Sequence, residues 1–113
     1  MVINSGTFHL PHQTAVLFNI SISGAFNNPD SSLLRAEVEK YLESEFTEIY
    51  INTLQISEID LSGINEIIHC HHMLESAAKK LILLYRNGTE IEKWIDNTGI
   101  AKFIATVGIN GQL

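Results

Sequence analysis

Lys80 to Arg86 is the stretch that most constrains the fold: Leu81, Ile82, Leu83, Leu84 and Tyr85 follow one another between two cations. Successive side chains of a strand point to opposite faces, so a run that is apolar throughout requires cover on both. It is far too short for the ~20 residues of a membrane helix. The expected setting is a strand inside a sheet. Downstream, Thr89 and Glu92 stand at capping-box spacing, and Ile91, Trp94 and Ile95 recur at helical spacing before Gly99. Asn87-Gly88 alone suggests a hairpin turn, but this pattern predicts a helix over 89–98 instead. Upstream, 62–79 reads as a helix that opens at Ser62-Gly63 and closes at two lysines suited to a helix C-terminus.

The alternation continues toward the N-terminus. Glu48 to Leu54 reads as a strand followed by a short polar loop. Leu34, Val38, Tyr41, Leu42 and Phe46 recur at helical spacing, with Glu37, Glu39, Lys40 and Glu43 between them, predicting an amphipathic helix over 31–45. Residues 1–29 carry no Asp, Glu, Lys or Arg, and Thr14 to Ser23 reads as a strand with Val16, Phe18, Ile20 and Ile22 on one face. Gly24 to Ser32 has loop composition. Ala101 to Val107 fits a last strand or a helix equally well. Strands alternating with helices, after an N-terminal strand or two, imply a mostly parallel sheet with helical cover. The fold class is therefore α/β: one domain over 1–113, with its core at about 10–106 and a tail at 107–113. Val16, Phe18, Ile20, Leu34, Val38, Ile49, Ile51, Ile67, Leu81, Leu83 and Trp94 are its expected buried residues.

Charge narrows the partners. Thirteen acidic residues against seven basic ones give a net charge of −6. Affinity for phosphate backbones rests on Lys and Arg, so neither nucleic acid nor an anionic membrane is the expected partner; another protein is. Cys70 is the one cysteine, which excludes an internal disulfide framework. The first basic residue is Arg35, so the start of the chain lacks the charged region of a signal peptide. The expected location is cytoplasmic.

Candidate chemistry is sparse. Cys70 lies among His69, His71 and His72, but adjacent helix residues point about 100° apart, so none of its neighbours faces it as a base; it reads as a small packed hydrophobe. His69 and His72 share a face with Asn65 and Ser76 and are the pair best placed to reach one ion. Zinc wants three or four ligands, however, and no third Cys or His stands at useful spacing, so no metal or cofactor is expected. His71 falls in line with Ile64, Ile67, Leu74 and Ala78 and reads as half-buried. Glu58 and Asp60 read as a solvated loop and a helix-capping acid, not a catalytic pair. Ser62 sits where loop becomes helix: it reads as the N-cap, and a phosphate on its oxygen would meet the positive end of the helix dipole. Gly63 beside it admits a close approach by another chain.

Ile49 to Ile64 resembles the strand–loop–helix core of STAS domains, the sulfate-transporter and anti-sigma-factor-antagonist family. The family pattern of Asp-Ser-Ser-Gly-Leu opening a helix is met by Asp60, Ser62, Gly63 and Ile64. Lys80 to Tyr85 is similar to the following strand, and Thr98 to Ile104 to the family's closing segment. Gly24 to Asn27 stands where the family usually has Gly-Glu-Leu-Asp. Leu61 replaces the first Ser of the pair, and Asn27 an acidic residue. The resemblance implies a four- to five-stranded mixed sheet with helices chiefly on one face. It implies a non-enzymatic bacterial anti-sigma factor antagonist with Ser62 as phosphoacceptor and Asp60, Leu61, Gly63, Ile64, Asn65 and Asn27 as partner contacts. The implied partners are an anti-sigma factor acting as serine kinase, bound by the unphosphorylated form, and a metal-dependent (PP2C-type) serine phosphatase. The protein itself would be a monomer or weak dimer. The alternative is a STAS subunit without a switch, docked in a larger lipid-transport or stress-signalling assembly.

Overall fold

The computed structural model describes residues 1–10 and 12–111. Its elements run β1 (Val2–Phe8), β2 (Leu17–Phe26), a 3-10 turn (Asp30–Ser32), α1 (Leu33–Glu39), β3 (Glu48–Ile59) and α2 (Leu61–Ser76). β4 (Lys80–Arg86), α3 (Glu90–Thr98), a second 3-10 turn (Ile100–Lys102) and β5 (Ala105–Ile109) complete them. The strands form one five-stranded sheet in chain order. β1 pairs antiparallel with β2, and every later neighbour is parallel. The α/β expectation holds, and β4 has the predicted bounds, flanked by β3 and β5.

Two apolar layers account for the run in β4. Leu81 and Leu83 join Phe18, Ile20, Ile22, Ile49 and Ile51 beneath Leu34 and Val38 of α1, Ile64, Ile67 and Leu74 of α2, and Ile91 and Ile95 of α3. Ile82 and Leu84 point the other way, to Tyr50 and Leu54, with Phe8, Leu10, Leu17 and Val107 packed around them. All three α-helices feed the first layer and none feeds the second, so the helices lie chiefly on one face.

Several boundaries move from their predicted places. The sheet is wider than a 10–106 core: β1 pairs with β2 from Val2–Ser23 to Phe8–Leu17. At the other end, Val107, Gly108 and Ile109 belong to β5, paired with Leu84, Tyr85 and Arg86, and not to a tail; residues 112–113 of that predicted tail lie outside the described residues. Val16 precedes β2 and is 63% exposed, while Trp94 only flanks the core beside Ile91 and Ile95. The loop expected after Leu54 is a continuation of β3, paired through Ile59 with the end of β2 across register shifts near Gly24. The helix expected over 31–45 ends at Glu39, and residues 40–45 are not helical. There the backbone tightens into successive turns, Tyr41 N–H donating to Val38 O and Ser44 N–H to Tyr41 O. This swings Tyr41 and Phe46 onto Phe18, whose ring stacks on Phe46 at 4.2 Å between centroids.

Candidate functional site

Three chain segments converge at the start of α2. Asp60, extended at φ −120°, is its N-cap, and its Oδ1 accepts from the Gly63 N–H at 3.1 Å and from the Ser62 hydroxyl at 2.6 Å. Its other oxygen accepts from the Asn28 N–H at 3.3 Å. The Ser62 hydroxyl, opposed by partial desolvation and helped by the backbone N–H groups of Gly63, Asn28 and Ser62, holds the Asp60 carboxyl below the usual carboxylate range. The capping acid is as read from the sequence. Ser62 is not the cap: it stands two residues into the helix, because the carboxylate takes the N–H that a capping hydroxyl would accept.

Ser62 is half-buried and engaged twice. Its hydroxyl donates to Asp60, and its oxygen accepts from the Ser31 hydroxyl at 3.3 Å. A hydroxyl oxygen has two lone pairs, so one remains uncommitted. That oxygen, with its proton directed at a carboxylate, is suited to attack an electrophile such as a phosphoryl group. Asn27 also belongs here, donating to Glu58 at 2.7 Å. Glu58 thus lies at the end of β3, not in a free loop.

The surface around Ser62 is smaller than the sequence suggested. Leu61, 54% exposed, and Asn65, exposed, face outward. Ile64 is fully buried in the helix-side core and has no side chain to offer a partner. Gly63 is buried too, and the close approach it permits is internal: a Cβ there would come within 2.5 Å of Phe26 O and 2.9 Å of Ile59 Cγ1. Sequence reasoning missed Ser31 and an ion pair one turn further on, Arg35 Nη2 to Glu66 Oε1 at 2.5 Å. Ser31 and Arg35 are four apart, as are Ser62 and Glu66, so the 3-10 turn and α1 together meet α2 in two successive rungs. Sequence spacing shows each half of these pairs, but only the packing of the 3-10 turn and α1 on α2 joins them.

Cys70 is fully buried, and burial, reinforced by the Glu66 charge, pushes its thiol up to about 12. It is a packing group. His71 is half-buried as expected, but the predicted grouping of His69 with His72 is not the one formed. The side chains brought together are His71, His72 and Glu75.

A mixed five-stranded sheet in chain order, with its helices on one side, defines a recognisable class of small α/β domain. The fold is that of SpoIIAA, a STAS fold. No family model matches the chain, and no curated protein matches it in sequence. Among solved structures it is similar to the unphosphorylated anti-sigma factor antagonist SpoIIAA, at 18% identity and TM-score 0.60 over 92% of this chain and 87% of that one. It is likewise similar to the phosphorylated form of SpoIIAA, the Bacillus cell fate determinant, at 18% identity and TM-score 0.61 over 96% and 92%. A third match is an uncharacterised DUF3478-family protein with a SpoIIAA-like fold from Shewanella loihica, at 12% identity and TM-score 0.55 over 95% and 85%. No helix among the described residues is long and apolar enough to cross a membrane.

Proposed function

We propose that this chain is a phosphorylation-switched protein-binding module, an anti-sigma factor antagonist that binds an anti-sigma factor of the serine-kinase type while Ser62 is unmodified. It carries no catalysis of its own and works in the cytoplasm, with a PP2C-type phosphatase resetting it. The observation that carries this reading is the state of Ser62: an oxygen with one free lone pair, its hydroxyl hydrogen-bonded to Asp60, between the exposed Leu61 and Asn65. The match to SpoIIAA in both phosphorylated and unphosphorylated forms supports it.

The physics of such a switch follows from the site. Phosphate adds about −1.5 to −2 charges and three acceptor oxygens. The helix N-terminus tolerates that charge, while Asp60 opposes it. A partner seated over Leu61 and Asn65 would have to desolvate a dianion, and unpaired or like-charge contacts of that kind cost several kcal/mol. At about 1.4 kcal/mol per tenfold, affinity falls by two or more decades. The test captures partners from native lysate with and without ATP and maps phosphate by mass spectrometry. Ser62→Ala is expected to bind constitutively, and Ser62→Asp about tenfold more weakly or worse with an almost unchanged melting temperature. Equal binding by both variants, with co-purification indifferent to ATP, would replace this reading with the fixed subunit of a larger assembly.

A further inference from the structure

The second half of α2 gathers three side chains of metal-ligating type. His71 and Glu75 are one turn apart, with Nε2 and Oε2 separated by 3.7 Å. The His72 ring lies beside that of His71, the centroids 5.1 Å apart. One ligand atom from each of the three is within 4.8 Å of the other two. An ion held tetrahedrally by imidazole and carboxylate at about 2.1 Å separates its ligand atoms by about 3.4 Å. The His71–Glu75 pair already stands near that separation. His72 and Glu75 are exposed and free to rotate the remaining distance.

Two further features favour the site. His71 is anchored: its side chain is only 12% exposed, and its ring meets Phe103 edge-on at 5.8 Å between centroids. One fixed ligand with two that close on it lowers the ordering cost of capture. Glu75, for its part, has no competing cation. Lys79, one turn on, is the usual ion-pair partner for a helix carboxylate. Its ammonium instead donates to the carbonyls of Ser44 and Phe46. Among the described residues, Glu75 pairs with neither Lys nor Arg.

We propose that His71, His72 and Glu75 form a binding site for one divalent transition-metal ion of the zinc class, its fourth position open to water or a ligand from a bound partner. Two imidazoles and one carboxylate suit zinc, nickel or copper; calcium and magnesium want more oxygen ligands than the cluster offers. His72 lies about 15 Å along the helix axis from Ser62, so the site stands apart from the phosphoacceptor and does not depend on it.

Calorimetric titration of the full, tag-free chain with zinc tests the site. Saturation at one ion per chain is expected, with magnesium and calcium giving no binding at the same concentrations. His72→Gln and Glu75→Gln, both at exposed positions, are expected to weaken zinc by about tenfold or more. His69→Gln, outside the cluster, should leave affinity unchanged, and circular dichroism checks that each variant is folded. Absence of zinc binding would overturn the site. So would binding that survives His72→Gln and Glu75→Gln, or that His69→Gln weakens as much as they do.

Discussion

At Gly63 a helix carries a residue that ordinarily weakens it by about 1 kcal/mol relative to Ala. The contact with Phe26 O reverses the usual sign of substitution. A backbone carbonyl 2.5 Å from the new Cβ cannot swing aside as a side-chain tip can. Gly63→Ala is therefore expected to destabilise by about 1–3 kcal/mol, the cost of overpacking, read from the urea midpoint. At the other end of α2 the conflict runs the opposite way. Ala78 has φ +59° and closes a Schellman turn, with Lys79 N–H donating to Leu74 O at 2.8 Å and Ala78 N–H to Glu75 O at 3.0 Å. Glycine belongs at such a position, and Ala78→Gly is expected to stabilise by about 0.5–1 kcal/mol in the same measurement. At this scale the sequence was half legible. The Asp60–Ser62–Gly63 spacing marked the right turn and Asp60 as a capping acid, yet it also put a cap on Ser62 and a partner above Gly63. Which oxygen takes an N–H, and which atom fills the space over a glycine, are set by competition in three dimensions.

Elements were read best where their side chains face a single environment. β4 is apolar because both its faces are covered, and the boundaries followed from that alone. Truncating Leu83, fully buried between sheet and helices, to Ala should cost about 2–5 kcal/mol of unfolding free energy. A loss under about half a kcal/mol would mean a site able to collapse around the deletion, which a central strand is not. α1 and β3 were read less well, and for related reasons. The apolar residues from Tyr41 to Phe46 are at helical spacing, but Phe18 draws their rings away from a helix axis. Gln55, Ser57 and Glu58 are polar and turn-like, but the end of β2 offers this stretch a ladder, with Gly24 at φ +85° near the register shifts. Each error came from a partner distant in sequence.

Across the molecule, Cys70 offers a readout of global opening. Its side chain is fully buried and its thiol pushed up to about 12 by burial, so the nucleophilic thiolate is suppressed in the folded state. Labelling by a thiol reagent at neutral pH is expected to proceed only through opening of the fold, and to accelerate in step with denaturant-induced unfolding. Reaction at the rate of a free thiol in native buffer would show that α2 lifts locally from the sheet. The linkage has a definite sign: the raised folded-state value makes stability fall as pH climbs from the thiol's ordinary 9.0 toward about 12. The sequence conveyed the α/β class and element order of the whole because period and punctuation carry them. It did not settle the sheet's width, since β1 and β5 are edge strands whose short patterns make sense only beside β2 and β4.

Strand order and chain order coincide in this sheet, each strand lying beside the one made before it. During synthesis from the N-terminus, no early strand must keep a gap open for a later one to fill. The antiparallel pair of β1 and β2 is complete first; β3 and β4 then dock in turn on an edge that already exists. The helix between two successive strands leaves the ribosome before the second of them arrives. By the time Arg86 has emerged, four strands with α1 and α2 can stand assembled, and what remains adds to one side. Such a chain can fold in the order it is written, with little time for an unpaired edge to find the wrong neighbour.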